Sequence, residues 1–590
     1  MKRIYLLLFL LFLFVTCIID VPTNNQEKPK YKGKLIITEV GAGYYVNDSR
    51  WIEVYNNSTE TANLGEWTLR CKSVLKISPY TIYNEEVFTL PDLIIEPGCY
   101  ALIRGKSYDY LVNSSNVVFI SKKDKLPFWS NDGFIELKGT AGSDFVRFGT
   151  NNISPTNSND WSGNNAPELP YSEDGYGKSI ARDKFNTDTN NGSDWTFIEF
   201  ATAGGPNDVT SNTDSDNDGI PDCSETDNNS TFAGLPLYQW GARIGQRDIF
   251  IHIDYMNSTD PGVIPRKEAL EKLIPIFEPH NIKMHFDVGD LFGDSTSDFN
   301  LDKRNHRVPF ATAVAFGIFP NKANLYEYKN KYMPIAKRQI FHYLLMSYSQ
   351  NEDGSAGSGG RAEINGNDII ITMGNWGLKT DTSSDLQLLI NYQAACIMHE
   401  LGHNLGLRHG GDIDNNYKPN YYSIMNYMYS FNGLPEIGNL REGDRYYWYM
   451  YKTKGDNNFA QYFPNGYKDM HNTAYTSNFL MDYSNGIGQN IYESSFSETI
   501  GLGRSGSSGV DYNGNGDSTD NLSNYNIDET STIDTLSDYD DWANLNLFFA
   551  RFFSGNNSVM RMDLNEVFIF PDIIGNDRQE VDEEKLLKPF

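Results

Sequence analysis

The chain has 590 residues, enough for about three or four domains that each bury a sizeable core. Its 77 acidic and 49 basic residues give a formal net charge of −28 at pH 7. A field of this sign repels phosphates and anionic lipid surfaces, and it favours solubility and divalent cations. Nucleic acid is therefore excluded as an expected partner.

The N-terminal segment has the layout of an export signal. Lys2 and Arg3 supply the positive start, and an apolar run over residues 4–15 follows them. That run is shorter than the roughly 20 residues that a membrane-spanning helix needs. We expect residues 1–17 to be a signal peptide and the protein to be exported.

The apolar run ends at Cys17, in Phe14-Val15-Thr16-Cys17. This ending resembles a bacterial lipoprotein signal, in which the cysteine is acylated after cleavage. Phe14 and Thr16 match the usual residues poorly, so plain secretion is the alternative. The resemblance implies a cell-envelope lipoprotein that meets the membrane only through a lipid anchor at Cys17. The polar residues 18–32 would be a flexible tether.

Short runs of alternating apolar and polar residues begin at Leu35, with polar or Gly/Pro breaks between them. This pattern predicts an all-β, immunoglobulin-like sandwich over residues 33–208. The runs are Leu35–Val40, Trp51–Asn56, Trp67–Leu69, Tyr100–Ile103, Gly133–Leu137 and Phe145–Phe148.

Four landmarks in the same region are Glu96-Pro97-Gly98, Ser179–Arg182, Asp194-Trp195 and the closing Gly204-Gly205-Pro206-Asn207. With them the region resembles a lamin-tail domain that carries a long insertion over residues 151–177. In that family the module is a binding or spacing unit, so the resemblance implies no catalytic role for this region.

Cysteine usage gives no disulfide framework, because only five cysteines occur. Cys71 and Cys99 both fall in the predicted sandwich, and the sequence leaves open whether they are bonded to each other. Cys396, three residues before His399, is expected to be buried packing.

The segment from residue 214 to residue 225 has the composition of a calcium loop, in which six to eight oxygens coordinate the ion. It resembles the aspartate-rich repeats of thrombospondin type 3, and a solvated acidic linker is the alternative. Ca²⁺ would then stiffen a linker over residues 209–231, between the sandwich and the next domain. The expected ligands are Asp214, Asp216, Asp218, Asp222, Glu225 and the backbone carbonyl of Ile220, with Gly219 at the turn. Asp511–Asp517 is a weaker candidate, since Leu522 occupies its last ligand position.

Residues 232–570 are expected to form an α+β catalytic domain, followed by a tail over residues 571–590. The apolar spacing predicts a strand, a helix and a strand, then a helix, a strand and a long final helix. These elements are Asp248–Asp254, Arg266–Phe277, Lys283–Val288, Lys337–Ser347, Asp368–Met373 and Ser384–Asn404.

The strongest motif lies at the end of the last of these helices. His399 and His403 stand one turn apart, with Cβ atoms about 5–6 Å from each other, so both imidazoles can reach one ion. Gly406 allows a sharp turn that brings His409 back toward them. Three neutral imidazoles leave a fourth position on Zn²⁺ for a water with a pKa of roughly 7, and Glu400 is placed to take its proton.

The pattern His-Glu-x-x-His-x-x-Gly-x-x-His resembles the signature of the metzincin zinc peptidases. That clan also has a methionine turn, which Met425 supplies here. Tyr427, two residues later, matches a tyrosine that some members use as an extra zinc ligand or oxyanion donor; ordinary aromatic packing is the alternative. Gly410 departs from the members we can name, so the subfamily stays open.

The same resemblance implies that Asp368–Met373 is the rim strand of the cleft, able to pair with an extended substrate. Two later segments, Leu480–Ser484 and Asp538–Leu545, look like parts of exported bacterial zinc peptidase-like proteins. The sequence assigns these two segments no physical role.

The sequence therefore predicts an exported zinc endopeptidase that acts on protein or peptide substrates, with Glu400 and Tyr427 as catalytic residues. The competing prediction is a surface adhesion or binding lipoprotein whose zinc site is structural or vestigial. Retention of Glu400 favours the enzyme, because a structural site has no use for a base.

Overall fold

The computed structural model describes residues 31–42, 50–77, 79–106, 113–171, 177–293, 297–317, 322–528 and 530–547. The expected signal peptide with Cys17, most of the tether and the tail at 571–590 lie outside these ranges. In the described ranges, no helix is both long and apolar enough to cross a bilayer.

The chain divides into two compact units. The first comprises Met1–Asn212 with Phe232–Leu235, and the second comprises Thr213–Thr231 with Pro236–Phe590. The aspartate-rich segment predicted to be a linker thus groups with the second unit.

The first unit is a multi-sheet, mostly β structure that is compatible with a β-sandwich. Each of the predicted runs lies in a strand. The strands are β1 (Leu35–Gly41), β2 (Trp51–Asn56), β3 (Ala62–Asn63), β4 (Trp67–Leu75), β5 (Ile82–Thr89), β6 (Ile94–Ile95), β7 (Tyr100–Gly105), β8 (Val117–Ile120), β9 (Lys125–Phe128), β10 (Gly133–Gly139), β11 (Gly142–Phe148), β12 (Ser179–Arg182) and β13 (Trp195–Ile198).

Two larger sheets make up most of this unit. One has the order β13-β12-β1-β2-β7-β8, and the other has the order β11-β10-β4-β5 with β9 beside β4. Inward-facing side chains of both sheets, such as Ile37, Leu69 and Phe134, form one buried core. Cys71 lies in that core as a free thiol, so it is not bonded to Cys99.

The closing segment of the first unit is fastened by two buried glutamates. Thr202 and Gly204 donate backbone hydrogen bonds of 3.0 and 2.6 Å to the carboxylates of Glu39 and Glu53. Asn207 donates its side-chain amide to the carbonyl of Thr38 at 3.1 Å. These bonds fix the Gly204–Asn207 segment against strands β1 and β2.

The second unit contains a mixed sheet and most of the helices. Its elements are α1 (Leu237–Trp240), β14 (Arg247–Met256), α2 (Lys267–Phe277), β15 (Ile282–Asp287), β16 (Arg307–Val308), α3 (Leu325–Tyr332), β17 (Phe341–Met346), β18 (Gly360–Ala362), β19 (Asp368–Ile371), α4 (Ser383–Asn404), α5 (Asp444–Lys452), β20 (Ile491–Tyr492), β21 (Phe496–Ser497), β22 (Asn521–Leu522), β23 (Thr535–Leu536) and α6 (Asp541–Asn544).

The main sheet has the order β15-β14-β17-β19-β18, with β16 paired to β14. Strands β14, β15, β17 and β19 run parallel, whereas β18 is antiparallel to β19. Strand β19 is bonded on both sides, so the sheet ends at β18 and not at the strand expected to form the rim. Helices α2 and α4 pack on this sheet around one apolar core.

The helix expected over Lys337–Ser347 is wrong. A short 3₁₀ turn at Ala336–Gln339 leads into strand β17, and every residue of that strand is buried. A strand covered on both faces reads as a continuous apolar run, which periodicity does not distinguish from a buried helix segment.

A buried lysine holds together a group of acidic and histidine side chains beside β14 and β15. His252, Asp287, Asp302 and His306 place possible ligand atoms within 4.8 Å of one another. Lys337 bonds both carboxylates, at 2.6 Å to Asp302, and lies 3.3 Å from His252 Nδ1. Its ammonium group therefore supplies the positive charge in this group.

Although burial opposes the shift, Lys337 lowers the pKa of both Asp287 and Asp302. A carboxyl group whose pKa is lowered by folding stabilises the fold at pH values above its ordinary pKa, about 3.9. That contribution is lost as the pH falls through the lowered pKa. The contribution of these two ion pairs is therefore fully present at neutral pH.

Replacing Lys337 by methionine removes this charge and leaves two carboxylates buried. We expect Lys337→Met to lower the free energy of unfolding by about 3–5 kcal/mol at pH 7. Lys283→Met is the control, because Lys283 forms an exposed pair with Glu278 at 3.1 Å and its loss should cost about 0–1 kcal/mol. Denaturant unfolding measures both, and equal losses would contradict the role given to Lys337.

Candidate metal centre

Helix α4 carries the first two histidines of the motif. Its first turn is capped by Thr382, whose side chain accepts a hydrogen bond from Asp385 N–H at 3.1 Å. From Leu388 to Asn404 every residue is buried, so the C-terminal half lies inside the core. The rings of His399 and His403, one turn apart, have centroids 4.9 Å from each other.

The helix ends in a turn that needs a glycine. Gly406 has φ +100°, and a Cβ there would lie 2.6 Å from Asn365 Oδ1. Leu407 N–H donates to the Gly402 carbonyl and Gly406 N–H to that of His403, both at 2.9 Å, which is the Schellman pattern of a helix end. The reversal predicted from Gly406 is present, and His409 follows it.

The three histidine rings converge. Their centroids are 4.9 to 5.4 Å apart, and one nitrogen from each lies within 4.8 Å of the other two. Backbone carbonyls of Ile424 and Leu407 accept hydrogen bonds from His399 Nδ1 and His403 Nδ1 at 2.9 and 2.8 Å. Since Nδ1 is the donor in both rings, the lone pair lies on Nε2.

Burial keeps the imidazoles of His403 and His409 neutral. It lowers the pKa of His403 to about 4 and that of His409 well below its usual range, with the neighbouring Arg408 acting in the same direction. Among the described residues, the Nε2 atoms of His403 and His409 have no hydrogen-bond partner although both are buried. Neutral imidazoles with free lone pairs are the ligands that zinc takes.

Glu400 lies next to the first of these histidines and is 1% exposed. Its carboxylate rests against the backbone of β18, since a Cβ on Gly360 would lie 2.7 Å from Glu400 Oε1. A side chain at residue 360 would therefore collide with the carboxylate. The candidate base and the last strand of the sheet border the same space.

Met425 lies directly under the helix. It is fully buried, and a Cβ on Gly402 would lie 2.3 Å from its sulfur atom. Gly402 sits between the two helical histidines, so the absence of a side chain there lets the methionine reach the centre. The sulfur of Met425 therefore packs against the helix at the residue just before His403.

The ring of Tyr427 lies beside the histidines. Its ring centroid is 4.3 Å from that of His409 and 5.7 Å from that of His399. Its backbone N–H donates to Asn416 Oδ1 at 2.8 Å, and the side chain is half-buried. The ring of Tyr427 therefore packs against the rings of His399 and His409.

A buried carboxylate that the sequence did not single out fixes the methionine turn. Asp541 is fully buried and accepts hydrogen bonds from Ser423 Oγ at 2.6 Å, Tyr421 Oη at 2.8 Å and Ser484 N at 2.9 Å. Ser423 Oγ in turn accepts from Met425 N–H at 3.2 Å. Burial raises the pKa of Asp541 to about 7, against these bonds.

The segments around Asp541 also hold the helix. Tyr483 Oη donates to the carbonyl of Met398 at 2.6 Å, and Asn546 N–H donates to that of Leu405 at 2.9 Å. Ile424 N–H donates to the carbonyl of Asp482 at 2.9 Å. The two segments without an assigned role, Leu480–Ser484 and Asp538–Leu545, thus enclose the turn and the helix end.

The acidic segment at residues 214–225 forms a second cluster in the same unit. Asp214, Asp216 and Asp218 converge, and Asp218 also converges with Glu225 and Asp248, each set having oxygens within 4.8 Å. The sequence did not suggest Asp248, which stands at the start of β14. Burial and the neighbouring carboxylates raise the pKa of Asp216 to about 6 and that of Glu225 to about 10.

One of the expected calcium ligands, Asp222, is engaged within the loop itself. Both oxygens of Asp222 accept from Ser215, at 2.8 Å from its N–H and 2.7 Å from its hydroxyl. Asp222 therefore closes the loop, whereas Glu225 points toward Asp218 and Asp248.

The weaker candidate at Asp511–Asp517 has a different explanation. Asp511 accepts from the N–H groups of Asn515 and Gly516 at 3.1 and 2.8 Å, and from Tyr462 Oη at 2.7 Å. Glu498 accepts from Tyr512 N–H at 2.8 Å. These carboxylates organise backbone turns and are satisfied without an ion.

Comparison with known proteins adds no constraint. No protein-family model matches the chain, and no curated protein matches it. The geometry of the centre is therefore the basis for inferring a function.

The bonds of Asp541 generate a prediction. We expect Asp541→Asn to weaken zinc binding by about 10–100-fold, because an amide presents N–H groups to Ser423 and Tyr421 and so loosens the turn that orients His399. Competition with a chromophoric chelator measures the affinity. The control is Asp540→Asn, since Asp540 accepts only from Ala543 N–H at 3.0 Å through its side chain. Equal zinc affinity in the two variants would contradict the role given to Asp541.

Proposed function

We propose that this chain is a zinc-dependent endopeptidase of the metzincin type that hydrolyses peptide bonds in protein substrates. The observation that carries the proposal is the convergence of His399, His403 and His409 beside the buried carboxylate of Glu400. Three nitrogen ligands fit zinc and leave a position open for chemistry, whereas structural zinc sites close all four with protein.

The residues present fit the ion. Two of the three Nε2 atoms are buried without a partner among the described residues, and that arrangement is costly unless a ligand satisfies them. Zinc, when bound, supplies Lewis acidity that polarises a scissile carbonyl and lowers the pKa of water.

Glu400 is the proposed general base. Its carboxylate takes a proton from the attacking water and then returns it to the nitrogen of the leaving amine, so that the proton count balances over the reaction. Burial beside Gly360 fixes the position of this carboxylate next to His399.

Tyr427 is the proposed donor to the oxyanion. Its contact with the ring of His409 supports this role, because a phenol there is close to the point where negative charge develops. Met425 supports the site from below and takes no part in the chemistry.

The proposed substrate is an extended segment of protein chain. Strand β18 ends the sheet and runs past Glu400, so we propose it as the strand along which an extended peptide would lie. The rim role that resemblance gave to Asp368–Met373 passes to Gly360–Ala362 in this proposal.

The proposed setting is the cell envelope. We propose that the first unit is a lamin-tail-like, immunoglobulin-like sandwich that binds or spaces, and that residues 1–17 direct export. Attachment would then depend on acylation of Cys17, and plain secretion is the alternative. Mass spectrometry of the mature N-terminus distinguishes the two.

Replacing the base tests the proposal. We expect Glu400→Ala to retain zinc and to lower cleavage of a denatured protein at least about a hundredfold, because general base catalysis contributes about 10²–10⁴-fold. His403→Ala should lose both zinc and cleavage. Zinc content and peptide release measure the two effects separately.

The opposite outcome favours the binding lipoprotein. If the zinc-loaded, processed wild type cleaves no denatured protein, or if Glu400→Ala cleaves equally well, then the enzymatic proposal fails. Zinc retained in an inactive wild type would leave a structural site.

The role of Tyr427 has its own test. We expect Tyr427→Phe to lower kcat about 10²-fold with little change in KM or zinc content, as for loss of one oxyanion donor. The control is Tyr429→Phe, because Tyr429 Oη is buried and donates to the carbonyl of Pro419 at 2.6 Å. That change should lower stability and leave kcat intact. A kcat for Tyr427→Phe within about twofold of wild type would make Tyr427 a packing residue.

A further inference from the structure

The acidic cluster of the second unit contains a buried carboxylate that accepts no hydrogen bond from the described residues. Glu225 is 2% exposed, and in the described part of the chain neither of its oxygens has a hydrogen-bond partner. Its strongest electrostatic neighbours are the carboxylates of Asp218, Asp216, Asp248 and Asp214. A buried carboxylate surrounded by others is strongly unfavourable unless a cation compensates it.

Backbone N–H groups hold the carboxylates of Asp216 and Asp218. Asp216 Oδ2 accepts from Gly245 N–H at 2.7 Å, whereas its buried Oδ1 has no partner among the described residues. Asp218 accepts from Ile220 N–H at 2.8 Å and from Asp248 N–H at 2.7 Å. Backbone N–H groups of the loop, of the segment that leads into β14 and of β14 itself thus hold both carboxylates in place, and one oxygen of Asp216 stays without a partner among the described residues.

Asp248 joins this cluster from outside the loop. It is the second residue of β14 and is 4% exposed. One of its oxygens accepts from His285 Nε2 at 2.6 Å and from Gln246 Nε2 at 2.8 Å, and the other from Arg243 N–H at 3.1 Å. The side chain is therefore held rigidly where it meets Asp218 and Glu225.

From this geometry we infer a calcium site built from two parts of the second unit, with Asp216, Asp218 and Glu225 from the loop and Asp248 from β14. Its donors are all oxygens and mostly carboxylates, which suits a hard cation and excludes zinc as the preferred ion. Clustered carboxylates of varied orientation suit Ca²⁺ better than Mg²⁺, which demands a strict octahedron and gives up water reluctantly.

This assignment changes what the ion does. The sequence expectation was a stiffened joint ahead of the catalytic domain. With Asp248 as a ligand, calcium instead connects the loop to the start of strand β14, and through Asp248 to His285 on β15. The ion is then a structural part of the second unit itself, and it is independent of the proposed zinc centre.

Glu225→Gln is the informative variant, because the side chain of Glu225 makes no hydrogen bond that the change would break. The mature full-length protein is freed of metal on a chelating resin and reloaded with one equivalent of zinc. Calorimetric titration with CaCl₂ and thermal unfolding with and without CaCl₂ are then measured, with MgCl₂ at equal concentration for comparison.

We expect wild type to bind one calcium ion in this cluster, and a saturating concentration to raise the Tm of the second unit by about 2–5 °C. Glu225→Gln should bind calcium at least about tenfold more weakly and lose that increase. Without calcium the same variant should be as stable as wild type or more stable, since it removes an uncompensated buried charge.

Asp227→Asn is the matched control from the same segment. Asp227 is exposed and its carboxylate accepts from Asn229 N–H at 2.7 Å, so this variant should respond to calcium like wild type. Asp248→Asn should weaken calcium binding as Glu225→Gln does, which separates the two-part site from a loop acting alone.

Three outcomes would overturn the inference. The first is that the wild type shows neither a heat of calcium binding nor a change in Tm. The second is equal calcium affinity in wild type and Glu225→Gln. The third is an equal rise in Tm with magnesium, which would remove calcium as the ion.

Discussion

Two backbone carbonyls orient the histidine rings so that their nitrogens can bind one metal ion. Ile424 and Leu407 accept the Nδ1–H groups of His399 and His403, and these bonds fix the tautomer that turns each Nε2 inward. Neither carbonyl belongs to the helix that carries the histidines. The centre therefore exists only if the Gly406 turn and the methionine turn are both formed and correctly placed.

This requirement explains why so much chain follows the motif. The methionine turn is hydrogen-bonded to the carbonyl of Asp482 and, through Ser423, to the carboxylate of Asp541. Asn546 N–H donates to the carbonyl at the C-terminal end of the helix. Burying Asp541 among neutral donors costs free energy that an apolar residue would not. The bonds it accepts offset that cost and give the turn a defined position, which dispersion contacts alone would leave adjustable.

The parts of the centre that the sequence predicts correctly are local. His399, His403 and Gly406 lie within eight residues, and helical geometry plus one left-handed turn determines how they meet. What the sequence does not predict is set by contacts distant in the chain. Asp541 meets a turn that lies 118 residues before it, and no periodic pattern marks such a pair. In the same way β17 was expected to be helical, since its burial on both faces depends on neighbours that the sequence does not place.

Two acidic loops in this chain show why composition alone does not identify a cation site. The loops at Asp214 and Asp511 share the alternation of Asp, Asn and Gly, and both fold by donating backbone N–H groups to their own carboxylates. In the second loop the donors also reach Glu498, so that its oxygens are satisfied. In the first loop Glu225 lies beyond reach of any described donor, and a strand residue adds a further carboxylate beside it. The difference lies in the balance between donors and acceptors after folding. A loop with more buried carboxylate oxygens than N–H groups to satisfy them needs a cation, and a loop in balance does not.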